Sequence, residues 1–135
     1  MATDTNTTTA AVSKIANVII PVRDQDAMLA FYTEKLGLEK RADVPFGNGE
    51  RWIEVAPPRS ETVMAICPPG PSNQSGGKET GICLQTDEIE AYRDRLAAGG
   101  VDVDDEVSRM GDPVPPIFWF RDPEDNRLMV VELTD

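Results

Sequence analysis

A chain of 135 residues, 40% apolar and 27% charged, is long enough to bury one core without disulfide or metal support. Its formal charge of −11, from 24 acidic against 13 basic residues, repels a phosphate backbone, and no Lys/Arg-rich run reverses this locally. Nucleic-acid binding is therefore not expected, and an anionic membrane surface is disfavoured for the same reason. Cys67 and Cys83 make no disulfide framework, no stretch has the length of a membrane span, and the N-terminus lacks a signal-like basic and apolar pattern. The expectation is a cytoplasmic protein with reduced thiols. Histidine is absent, which removes the commonest metal ligand and the side chain that titrates nearest neutrality.

Residues 1–13, rich in Thr and Ala, carry no apolar period and read as a disordered tail. Residues 15–22 are a β-branched apolar run suited to a buried strand. Asp24 then stands where a helix N-cap belongs, with Asp26 in the first turn; Met28, Phe31, Tyr32 and Leu36 recur at helical spacing, and Gly37 ends the helix. A short strand is expected near 38–42, then strands at 51–56 and 62–67 joined by the turn Pro57-Pro58-Arg59-Ser60. Residues 70–79, with Ser, Asn, Gln and two adjacent glycines, read as a flexible link.

The same order then recurs. Residues 82–86 predict a strand, and Asp87 is a candidate N-cap with Glu90 in the capping-box position. Ile89, Tyr92 and Leu96 form an apolar stripe that Gly99-Gly100 terminates. A short strand within 101–107 is followed by strands at 117–121 and 127–133, joined by Asp122-Pro123-Glu124-Asp125-Asn126. The spans from Asp24 to Gly37 and from Asp87 to Gly100 are equal, so the chain reads as a duplication. The fold class is α+β: one domain over 14–135 built from two βαβββ modules, about 14–69 and 80–135.

Three stretches carry a family resemblance: Asn-Val-Ile-Ile-Pro-Val-Arg-Asp from Asn17 running into Ala-Phe-Tyr-Thr-Glu-Lys-Leu-Gly-Leu from Ala30; Ile-Cys-Leu-Gln-Thr-Asp-Glu-Ile-Glu-Ala from Ile82; and Phe-Trp-Phe-Arg-Asp-Pro-Glu-Asp-Asn-Arg-Leu from Phe118. In this order, and with the duplication, the chain resembles the vicinal oxygen chelate superfamily, the glyoxalase, bleomycin-resistance and dioxygenase group. The resemblance implies a curved, half-open β-barrel with helices on its convex side and the site on its concave face. Metal-dependent members of that family place one ligand on each of four strands. Those positions fall here on Asn17, Ala65, Gly81 and Met129, a set that lacks every charged oxygen or imidazole a hard divalent cation requires. The resemblance is therefore to a metal-free branch, and no cofactor is expected. The family turn is usually Asp-Pro-x-Gly-Asn; Asp125 replaces its glycine, and Asp tolerates positive φ better than most residues.

Strand alternation predicts which side chains share the face of the four lost ligands. Ile19 accompanies Asn17, Val63 and Cys67 accompany Ala65, Cys83 and Gln85 go with Gly81, and Arg127 goes with Met129. A symmetric 122–126 turn sets Trp119 opposite Met129 and Arg121 opposite Arg127, and a symmetric 57–60 turn sets Trp52 opposite Ala65. The predicted lining suits a flat, partly apolar ligand stacked on indole. Each residue also has a plainer reading: the tryptophans and Met129 as core, the cysteines as small buried hydrophobes, the arginines as partners of acids such as Glu54 or Glu124. Asp102, Asp104, Asp105 and Glu106 read as a solvated edge.

The resemblance implies a binding protein that sequesters a small molecule such as an antibiotic, acting as a homodimer whose sites each combine one module from each chain. Two alternatives stand beside it. One is an isomerase, cyclase or lyase without protein-bound metal, for which Glu54 is the candidate base and Cys83 the candidate nucleophile. The other is a degenerate module kept for assembly.

Overall fold

The computed structural model describes residues 9–71 and 73–135, apart from the side chain of Phe46. Most of the expected N-terminal tail lies outside the described residues; 9–13 are exposed, and no strand includes them.

Two four-stranded sheets are built in the same way. The first contains β1 (Asn17–Pro21), β2 (Glu39–Gly47), β3 (Glu50–Ala56) and β4 (Val63–Cys67), in spatial order β1-β4-β3-β2. The second contains β5 (Lys78–Thr86), β6 (Asp102–Val103), β7 (Ile117–Arg121) and β8 (Asn126–Glu132), in order β5-β8-β7-β6. In each, the strand before the helix runs parallel to the last strand and the remaining pairs are antiparallel. Identical topology in both halves bears out the duplication and the α+β class.

The first helix begins as expected. Asp24 caps α1 (Gln25–Ala30), its carboxylate accepting from the Ala27 amide at 2.9 Å, and the helix continues as a π-helical turn over Phe31–Lys35. The second helix, α2 (Ile89–Ala98), departs from expectation: its N-cap position is Glu88, one residue beyond Asp87, and no side chain of its own caps it. The exposed amides find partners elsewhere. Thr86 Oγ1 accepts from the Glu88 amide, and Glu132 Oε2, reaching from β8, accepts from the Ile89 amide.

Two strands also differ from the sequence reading. β2 runs on to Gly47 because Asn48 and Gly49, at φ 53° and 76°, close a two-residue hairpin into β3. β6 is only two residues long: beyond it the Asp104 amide still donates to the Trp119 carbonyl at 3.0 Å, but the Trp119 amide is taken by a side chain instead of a backbone carbonyl. The Asp104 carboxylate accepts from the Trp119 amide at 3.0 Å and from Arg121 Nη2 at 3.0 Å. Asp104 is thus half-buried and bonded, whereas Asp102, Asp105 and Glu106 are exposed.

One core joins both modules. Ile20, Ile53, Val55, Met64 and Ile66 from the first sheet meet Phe118, Phe120, Leu128 and Val130 from the second, with Met28, Phe31, Tyr32, Leu36, Ile89 and Leu96 from the helical segments between them. Because strand residues alternate, the opposite faces of both sheets point away from this core. The turn between β7 and β8 fastens the modules together. Tyr32 Oη donates to buried Asp122 at 2.8 Å, and Asn126 Nδ2 donates to Asp122 at 2.9 Å and to the Pro21 carbonyl at 3.3 Å. Glu124 accepts from the Arg23 and Asp24 amides and from Ser75 Oγ. Asp125 takes the positive φ, 61°, that the turn requires.

The segment joining the modules is held by the same turn. Gly76 donates its amide to Asn126 Oδ1 at 2.9 Å, and Gly77 donates to the Asp125 carbonyl at 3.0 Å. At Gly76, φ is +83° and any Cβ would collide with the Glu124 carbonyl oxygen, so glycine is required there on both counts.

Candidate functional site

The faces turned away from the core carry the residues singled out from the sequence, and they occupy equivalent rows in the two sheets. In the first sheet Ile19 pairs with Ala65, which pairs with Glu54. In the second, Cys83 pairs with Met129, which pairs with Trp119. Adjacent rows hold Asn17 beside Val63 and Pro21 beside Cys67 in the first sheet, and Arg121 opposite Arg127 and Gln85 beside Val131 in the second.

The expected pairing of Trp52 with Ala65 does not occur. Glu54 takes that place, because the connection between β3 and β4 runs from Pro57 to Thr62, longer than the symmetric four-residue turn that the sequence suggested. Continuing the observed register sets Trp52 opposite Cys67. It stays on the same face, since the shift is by two residues. Its indole Nε1 donates to Glu54 Oε2 at 2.9 Å, which ties the ring to the carboxylate. Glu54 is thus part of the outer face of the first sheet, a place that the sequence reading reserved for Trp52. The cue that could have found it is Glu61-Thr62, polar residues that lengthen the turn.

Within each sheet these residues are neighbours; between the sheets they are not. Gly81, Cys83 and Gln85 line a cleft of about 640 Å³ with Val18, Met64 and the Pro57–Ser60 turn, but none of Asn17, Ile19, Trp52, Val63, Ala65 or Cys67 reaches it. Gln85 Nε2 there donates to the Leu133 carbonyl and to Asp135. In the single chain, therefore, the residues form two separate patches.

Burial differs between the patches. Val63, Ala65 and Cys67 are buried, while Ile19 is 47% exposed. Cys83 and Gln85 are exposed, and Trp52, Trp119, Arg121, Arg127 and Met129 are half-buried. Arg121 bonds Asp104 at 3.0 Å and approaches Asp102 at 3.8 Å, while Arg127 lies 3.6 Å from Asp125. The arginines do meet acids, but not Glu54 or Glu124. The Cys67 thiol is pushed up by burial and then by the Glu54 charge, and burial alone pushes up Cys83. Neither thiol is drawn toward the thiolate that a nucleophile needs.

The four family ligand positions can be tested as metal donors. Asn17 offers a neutral amide oxygen, Ala65 a methyl group and Met129 a thioether, which together do not fit a hard cation. Gly81 offers nothing and could not readily be otherwise. It lies at φ +79° in the bulge between Glu79 and Cys83, a backbone conformation in which any ligating side chain would be strained.

Comparison with known proteins places this geometry among relatives. The family model for the Glyoxalase/Bleomycin resistance protein/Dioxygenase superfamily matches residues 14–130. YetH of Bacillus subtilis (strain 168) is 30% identical over 99 residues, 73% of this chain and 82% of that protein. TnmS3, an antibiotic binding protein from Streptomyces sp. CB03234, superposes with a TM-score of 0.81 at 30% identity, over 93% of this chain and 99% of that one. A superfamily member from Sphaerobacter thermophilus DSM 20745 gives a TM-score of 0.83 at 30% identity, over 90% and 98% of the two chains.

Proposed function

The chain belongs to the glyoxalase/bleomycin resistance protein/dioxygenase superfamily, and on that premise we propose that it is a metal-independent binding protein that sequesters a planar, partly apolar compound such as an antibiotic. The observation that carries this reading is the character of the outer faces. They present half-buried indoles, Trp52 and Trp119, beside a thioether and small apolar side chains, at positions where donors for a metal do not fit. Such surfaces bind flat rings by stacking and by removal of apolar area from water. The likeness to an antibiotic binding protein over nearly the whole of both chains supports the same reading.

Each face is open in the single chain and would bind a ligand on one side only. A homodimer in which the first module of one chain covers the second module of its partner closes both. Ile19, Val44, Trp52 and Trp119 then leave water together, and one two-fold axis completes two sites. The site residues are Asn17, Ile19, Trp52, Val63, Ala65 and Cys67 from one chain with Gly81, Cys83, Gln85, Trp119, Arg121, Arg127 and Met129 from the other.

Tryptophan fluorescence titrated with a panel of planar natural products tests the reading. Saturable quenching by a compound that is recovered chemically unchanged is the expected result; turnover of that compound, or no response to any member, would refute it. Sedimentation at micromolar concentration should give twice the monomer mass, and a stable monomer that still binds would refute the shared site alone.

A further inference from the structure

The two outer faces match in geometry but not in charge. On the second sheet the guanidiniums of Arg121 and Arg127 each have a carboxylate at hand, from Asp104 and Asp125. On the first sheet Glu54 has no cation within ion-pair distance among the described residues. Its neighbour in sequence, Arg51, points to the other side of the sheet and is engaged by Asp26 and Asp43. The carboxylate instead accepts one hydrogen bond, from the Trp52 indole, through one of its two oxygens. Across the strand from it, Ala65 has only a methyl group with which to crowd it.

An aromatic face and an uncompensated carboxylate, locked together by a 2.9 Å hydrogen bond, are the two elements that recognise an organic cation. We infer that the ligand of the site proposed above carries a protonated nitrogen, placed against the Trp52 ring and the Glu54 carboxylate. The inference rests on the binding-protein reading and adds the ligand's charge to it.

Covering this face takes Glu54 out of water. The guanidiniums that the partner's module would bring, Arg121 and Arg127, carry their own carboxylates. A neutral ring laid over Glu54 therefore leaves its desolvated charge without a cation of its own, which costs more than the stacking of the ring returns. A cation offsets that cost, so the site selects for charge chiefly by penalising neutral analogues. The Glu54 charge is already felt along this face at Cys67, where it adds to burial in raising the thiol. At longer range, a net charge of −11 draws cations toward the protein.

Calorimetric titration with two probes of one skeleton, 9-aminoacridine, protonated at neutral pH, and acridine, uncharged there, tests the inference. The wild-type protein should bind the amine roughly tenfold more tightly or better, the usual scale of a hydrogen bond to a charged partner. Glu54→Gln keeps an oxygen for the Trp52 bond and should abolish that preference, chiefly by raising acridine affinity as the penalty on a neutral ring is lifted. Glu34→Gln, an equal charge change at an exposed position of the π-helical turn, should retain it. Equal binding of both probes by the wild type overturns the inference without recourse to any variant. So does a preference that survives Glu54→Gln, or one that falls equally in Glu34→Gln. These results leave the binding-protein reading standing, whereas failure of both probes to bind overturns the two together.

Discussion

The two modules share strand order, register and a common core, yet their outer faces have diverged position by position. Ile19, Ala65 and Glu54 in the first correspond to Cys83, Met129 and Trp119 in the second. The row of the first module sets a buried methyl group, Ala65, between an exposed Ile19 and a half-buried carboxylate. That of the second is long-chained, half-exposed and flanked by arginines. The core-facing rows show no such divergence and remain aliphatic or aromatic in both. A duplicated unit keeps the layer that its partner module packs against, where a change of even one methylene is felt, and is free to vary the layer that meets a ligand.

The sharpest way to break this comparison is to remove adjacent residues of opposite orientation. Phe118 is fully buried in the shared core, and Phe118→Ala should cost about 3–5 kcal/mol in chemical denaturation. If that variant proved nearly as stable as the wild type, the division into core and outer layers would be wrong. Trp119, one residue on, faces outward. Trp119→Ala should weaken binding of a planar ligand by about 1–3 kcal/mol while lowering stability by less than the Phe118 change. A variant that unfolds while its folded fraction binds normally would make Trp119 core instead.

A smaller effect concerns the turn that joins the modules. Burial of Glu124 opposes its charge, but the Ser75 hydroxyl and the Arg23 and Asp24 amides more than offset this and hold its pKa below the ordinary value. Its contribution to stability is therefore complete above the unfolded value of about 4.3 and is lost as pH falls through the lower folded value. Glu124→Gln should flatten the acid limb of a plot of melting temperature against pH; an unchanged limb would mean that the junction is held by Tyr32, Asp122 and Asn126 alone. The smallest expected effect is none. Prolonged treatment with a chelator should leave melting temperature and ligand affinity unchanged, and elemental analysis finding about one metal per chain at Asn17 or Met129 would contradict the misfit of the donors.

Much of this architecture is local enough to be read from the chain. Asp24 caps its helix through a contact three residues away, and the β7–β8 register follows from a turn that is symmetric, so Trp119 pairs with Met129 as expected. The misreadings also have local causes. The β3–β4 connection contains two residues more than its prolines advertise, which moved Glu54 into the place expected for Trp52. An Asn-Gly hairpin signal stands at 48–49, and it extends β2 beyond the short strand expected near 38–42.

The sequence by itself determined the duplication, the alternation that separates core from outer face, and the residue types at Asn17, Ala65, Gly81 and Met129, because these depend on residue identity and on periods of a few residues. Only the tertiary structure decided how distant groups meet. Glu132 caps a helix 43 residues away, the Asp104 carboxylate takes the Trp119 amide, and Glu124 binds amides about a hundred residues back. Each of these groups is an ordinary acid in the sequence. What it does depends on which unpaired amide the fold brings within hydrogen-bond reach, and partial burial of the Ile89 and Trp119 amides makes their unbonded state costly.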